Sequence, residues 1–80
     1  MAYYQAYSVN YYAVGFAERQ LATVPTARAK AELINFIEAN SGILVGEWYQ
    51  FPTVPGIRAA IQETKRLGGI VYNLPVRTTP

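Results

Sequence analysis

Two stretches of this chain repeat apolar residues at helical spacing. In TARAKAELINFIEAN, positions 26–40, the residues Ala29, Leu33, Phe36 and Ile37 share one side, and Thr26 stands after Pro25 where an N-cap belongs. Arg28, Lys30, Glu32 and Glu38 lie off that stripe and read as a solvated face. The pattern predicts a helix over 26–40 that stops at Asn40-Ser41-Gly42. A second helix is predicted over 55–67, where Ile57, Ile61 and Leu67 recur with Ala60 and Thr64 on the same side. Pro52 and Pro55 stand where it begins, since proline at a helix start loses only an amide that the first turn leaves unbonded. Gly68 and Gly69 end it, one of them supplying the left-handed residue that closes many helices.

The segments between carry shorter signals. Ile43, Leu44 and Val45 suit a short strand over 43–45. Residues 46–51, GEWYQF, either extend that strand or make one to two turns of helix with Trp48 and Phe51 turned inward, Trp48 serving as a core anchor. Ile70 to Arg77 reads as a strand entering a turn or an edge, because Pro75 cannot donate to a central ladder. The N-terminal region fits two periods at once. Tyr3, Tyr4, Tyr7, Tyr11 and Tyr12 favour a strand, whereas Val9, Tyr12, Ala13, Phe16, Gln20 and Leu21 fall at helical spacing, with Ser8 available as N-cap. Gly15 costs a helix about 1 kcal/mol against alanine. The reading taken is a helix over 9–21, because Glu18, Arg19 and Gln20 break the alternation of a long strand; residues 3–16 remain open to either form.

Composition narrows the chemistry. The 80 residues suffice for one domain, and 51% of them are hydrophobic, enough for a core without staples. The chain has no cysteine, which removes a disulfide framework and fits a reducing compartment. No apolar run approaches the roughly 20 residues of a membrane span, and the start lacks the basic and apolar blocks of a signal peptide. The expectation is a soluble cytoplasmic protein without membrane contact. With neither histidine nor aspartate, the side-chain carboxylates are Glu18, Glu32, Glu38, Glu47 and Glu63. Most of them sit where a solvated helix face would put them, so no enzyme, catalytic residue, metal or cofactor is expected.

Charge is unevenly spread. Residues 1–53 sum to −1 and residues 54–80 to +3, the asymmetry a polyanion-binding face produces and one that many inert domains share. The tyrosines could stack on unpaired bases, but no basic residue precedes Arg19, and packing with hydroxyls in water is the reading preferred.

From Ile57 to Asn73, IRAAIQETKRLGGIVYN joins a basic helix to Gly-Gly-Ile-Val and a polar turn. This stretch resembles the recognition helix and wing of winged helix-turn-helix DNA-binding domains, especially the small ones of phage and mobile-element proteins. Arg58, Ile61, Glu63, Lys65, Gly68 and Ile70 occupy that family's pattern. The resemblance covers about residues 27–77 and is patterned in the last third; GEWYQF departs from the alanine-rich second helix of the family, and the presumed wing has only Arg77 as a basic residue.

The resemblance implies a single α+β domain in which the 55–67 helix enters the major groove of double-stranded DNA. Arg58 and Gln62 would read base edges, Lys65, Arg66 and Arg77 would meet phosphates, and Tyr72 and Asn73 would stand at the wing tip. With about four phosphate contacts one copy would bind weakly, so a homodimer is expected on an operator, as a transcription regulator or accessory factor. A different reading is an interaction module, phage- or host-directed, that docks on a protein partner through its tyrosine- and tryptophan-rich surface, since aromatic anchors dominate interfaces.

Overall fold

A computed structural model describes residues 7–15 and 18–75. They form one small α+β domain with strands β1 (Tyr7–Ala13), β2 (Glu18–Val24), β3 (Ile43–Val45), β4 (Trp48–Phe51) and β5 (Ile70–Pro75), and helices α1 (Ala27–Ala39) and α2 (Val54–Arg66). The strands make one five-stranded mixed sheet in the order β3-β4-β1-β2-β5. β1 pairs antiparallel with β2 and parallel with β4; β2–β5 and β3–β4 are antiparallel. The chain therefore runs β2-α1-β3 and β4-α2-β5 as two interleaved crossovers with β1 between their inner strands, a variation on the split βαβ arrangement. Both crossovers join strands of like direction and move opposite ways across the sheet, so the right-handed rule places both helices on one face.

That placement decides the burial pattern. Val9, Tyr11 and Ala13 of β1, Gln20, Ala22 and Val24 of β2, and Phe51 of β4 point to the helices and are buried, while the alternate residues are not. From above, α1 contributes Ala29, Leu33 and Ile37, and α2 contributes Ile57, Ala60 and Thr64. Each fully buried Leu, Ile or Phe contributes about 1.5–3 kcal/mol. One polar link crosses the layers: the Tyr11 hydroxyl donates to Thr64 Oγ1 at 3.1 Å, and Thr64 in turn donates to the Ala60 carbonyl at 2.8 Å. The Tyr11 ring meets Phe51 edge-on, with centroids 6.1 Å apart.

The helix ends follow local chemistry. Thr26 Oγ1 accepts the Ala29 amide at 3.0 Å and caps α1. α2 has a proline in its first turn and ends in a Schellman motif: the Gly68 amide donates to Lys65 and the Gly69 amide to Thr64, at 3.0 and 2.9 Å. Gly68 holds φ at 85°, the left-handed value that C′ requires. Gly69 is needed for a second reason, since a Cβ there would meet the Thr23 carbonyl oxygen on the neighbouring strand.

Two sequence expectations are corrected, and a third holds only in its coarser form, a small α+β domain. The helix expected over 9–21 is instead the β1–β2 hairpin, turning through Val14 and Gly15, with Gly15 at φ 81°. Burial against two helices on one side rewards period two, and the Glu18-Arg19-Gln20 interruption is tolerated because Gln20 goes into the core and Arg19 lies on aromatic rings. GEWYQF supplies β4 and the turn before it rather than helical turns, and Trp48 is half-buried on the sheet face away from the helices. The winged helix-turn-helix expectation fits only loosely. α1 and α2 are separated by the β3–β4 hairpin instead of a short turn, and the strand expected over 70–77 is described to Pro75 as the sheet edge beside β2.

Candidate interaction surfaces

α2 carries most of the predicted recognition residues. At 100° per residue, Arg58, Gln62 and Lys65 fall within about 60° of one another, and all three are exposed on the side turned from the sheet. Arg66 stands beside them but is committed: its guanidinium is bidentate on Glu63, with Nε 2.8 Å from Oε1. The same pairing holds the Glu63 carboxyl below its usual range and raises Arg66. Lys65 and Arg66 also occupy the last turn, where cations complement the negative end of the helix dipole.

The proposed wing residues separate. Tyr72 pairs with Leu21 and Asn73 with Gln20, so successive residues of β5 point to opposite faces. Asn73 shares the helix side with Gln20, whereas Tyr72 stands on the far side of the sheet from α2. Arg77 lies outside the described residues. Of the seven predicted residues, then, Arg58, Gln62, Lys65 and Arg66 share a surface, and Tyr72 does not join them.

The far side of the sheet holds residues that the helical reading of 9–21 concealed. The registers place Ile43 and Val45 of β3, Trp48 and Gln50 of β4, Tyr12 of β1, Arg19 and Leu21 of β2, and Ile70 and Tyr72 of β5 on this open face. Ile43, Val45, Ile70 and Tyr72 are exposed by 66, 52, 56 and 49%. Near the centre the Arg19 guanidinium lies 4.8 Å from the Trp48 ring centroid and 5.3 Å from that of Tyr12. The two rings meet edge-on at 6.2 Å, and the Tyr12 hydroxyl donates to Gln50 Oε1 at 3.1 Å. The result is an aromatic and cationic centre flanked by two exposed apolar margins, Ile43 and Val45 of β3 on one side and Ile70 and Tyr72 of β5 on the other. Period-two alternation at 8-10-12 and 19-21-23 is the signal that could have located it.

A shallow notch of about 300 Å³ opens beside the start of β1, with Lys30, Glu47 and Tyr49 among its lining groups. The shifted phenols have structural causes. Burial pushes Tyr11 up to about 12 against the opposing effect of its hydrogen bond with Thr64, and Tyr49 is raised by burial and then by the charge of Glu38. No cluster of metal-ligating side chains occurs among the described residues, and no helix among them is long and apolar enough to cross a membrane. Comparison with protein-family models, curated proteins and solved structures finds no match for the chain.

Proposed function

We propose that this protein is an interaction module that docks on a protein partner through the open face of its sheet. The observation that carries the reading is one sheet face presenting Ile43, Val45, Ile70 and Tyr72 to solvent around the fixed Arg19–Trp48–Tyr12 cluster. Exposed apolar surface gathered on one face marks interaction sites, and Trp, Tyr and Arg are the residues that dominate binding energy at them. Held by two rings, Arg19 has little rotamer freedom to lose, so a partner carboxylate set among apolar groups would find a pre-oriented fork. Stacking on unpaired bases is less favoured, because the Arg19 guanidinium already occupies the rings.

The test uses a photo-crosslinking residue at Tyr72 or, separately, at Arg58 in the intact chain. The reading expects a discrete protein adduct from position 72 that disappears when Arg19→Glu is added, and none from position 58. Adducts of equal yield from both positions, or an adduct indifferent to Arg19→Glu, would overturn it.

A second reading is favoured by a separate observation, the shared outward face of Arg58, Gln62 and Lys65 on α2. It is duplex DNA binding, with Arg58 and Gln62 at base edges and Lys65 on phosphate. With Arg66 paired to Glu63 and Arg58 at base edges, Lys65 is the phosphate contact among these described residues, so log affinity should fall with log salt at a slope of roughly −1. A gel shift of the wild type at low salt, lost in Arg58→Ala with Lys65→Ala, supports it; no shift at low salt refutes it.

A further inference from the structure

The two edges of the sheet differ in kind. β5 ends at Pro75, whose missing amide blunts an edge. β3 carries neither proline nor charge: Ile43, Leu44 and Val45 are each more than half exposed, Leu44 by 56%. An uncharged, apolar outer strand is the kind of edge that pairs with another chain.

The hydrogen-bond phase of β3 follows from its neighbours. The Val14 amide donates to the Phe51 carbonyl at 2.9 Å, so the odd-numbered residues of β4 aim their backbone groups at β1. Trp48 and Gln50 must then aim theirs at β3, where they face Val45 and Ile43. This agrees with the two-residue turn at Gly46-Glu47, with Gly46 at φ 66°, whose flanking pair is hydrogen-bonded. Leu44, opposite Tyr49, is left with its N–H and C=O both pointing outward from the sheet.

We infer that β3 pairs antiparallel with β3 of a second copy about a two-fold axis at Leu44, joining two sheets into one of ten strands. Leu44 of each copy exchanges both backbone hydrogen bonds with Leu44 of the other, which is the isologous contact that two-fold symmetry demands. The same register sets Ile43 against Val45 on the open face, a β-branched cross-strand pair made twice. Ser41 comes opposite Glu47, so no like charges meet. Among the described residues the helices lie chiefly over the other strands and leave β3 at the sheet edge. A partner of other sequence could take this edge, but self-pairing fits it best, because this register opposes no like charges and sets Ile43 against Val45 twice.

Edges this short bury less than about 1,000 Å² in total, which places the dimer in the weak class, with a Kd on the order of 10–100 μM. Sedimentation equilibrium from about 5 μM to 500 μM reads it directly. The wild type is expected to pass from monomer to dimer over that range. Leu44→Pro removes an amide that β4 does not use, and should raise the Kd at least tenfold while leaving the circular dichroism unchanged. Should that proline unfold the hairpin, Ile43→Lys gives the independent test: alone it should weaken the dimer at least tenfold, and adding Val45→Glu should restore most of the loss through two Lys–Glu pairs across the axis. A chain that stays monomeric throughout, or a dimer unmoved by Leu44→Pro and by Ile43→Lys, would overturn the inference. A dimer abolished only by changes at β5 would overturn it too.

Discussion

The two faces of the sheet are made by the same strands, yet they have opposite fates. On the helix side Tyr11, Ala13, Ala22 and Phe51 are fully buried, and on the other side Ile70 and Tyr72 of β5 stand about half exposed. Side chains alternate by geometry alone, so a strand always prepares two surfaces. Which one becomes core depends on where the crossovers lay their helices, and here both crossovers chose one side. The uncovered side is partly settled by Arg19, which screens the rings of Trp48 and Tyr12. It is otherwise left as apolar surface with nothing in the chain's described residues to cover it.

The contrast can be broken hardest at Phe51. Phe51→Ala leaves a cavity beside Tyr11 and beneath Gly56, and should cost about 3–5 kcal/mol in urea unfolding, enough to leave a domain of this size barely folded. Next comes alkaline pH. Because Tyr11 is held up to about 12 in the fold, against about 10 when unfolded, its contribution is fully present below pH 10 and is lost as pH rises towards 12. Roughly 2–3 kcal/mol should disappear over that window, and Tyr11→Phe should flatten most of the slope when urea midpoints are compared at pH 9 and pH 11.5.

Gln20 sharpens the comparison from within the covered side. It is 2% exposed, and its Oε1 has no hydrogen-bond partner among the described residues. Gln20→Met keeps the shape and removes that oxygen; thermal unfolding should show a gain of about 1 kcal/mol. The smallest effect belongs to the open side. Ile70→Ser should change stability by no more than about 0.5 kcal/mol, and a loss as large as that of Phe51→Ala would mean that this face is packed after all.

Part of this was legible in the order of residues. Thr26, the Ala29–Leu33–Ile37 stripe, the early prolines of α2 and the Gly68-Gly69 stop mark two helices within a residue or so of their ends, since caps and helical periodicity are local properties of the chain. The outward face of Arg58, Gln62 and Lys65 was legible for the same reason. Residues 9–21 were not, because their apolar residues fit a helical period, and Arg19 and Gln20, which interrupt a strand's alternation, find their places only through contacts with residues far along the chain. Neither was the Arg19–Trp48–Tyr12 cluster, whose members come from three strands.

The sequence by itself determined where α1 and α2 start and stop and which chemistry is scarce, because each depends on neighbours a few positions away or on composition alone. Only the tertiary structure decided that the N-terminal run is a hairpin, that β1 sits at the centre of the sheet, and which side of each strand meets water. Those outcomes depend on contacts between residues far apart in the chain, such as Tyr11 with Thr64 and Arg19 with Trp48, and their free energy exists only once the layers have met.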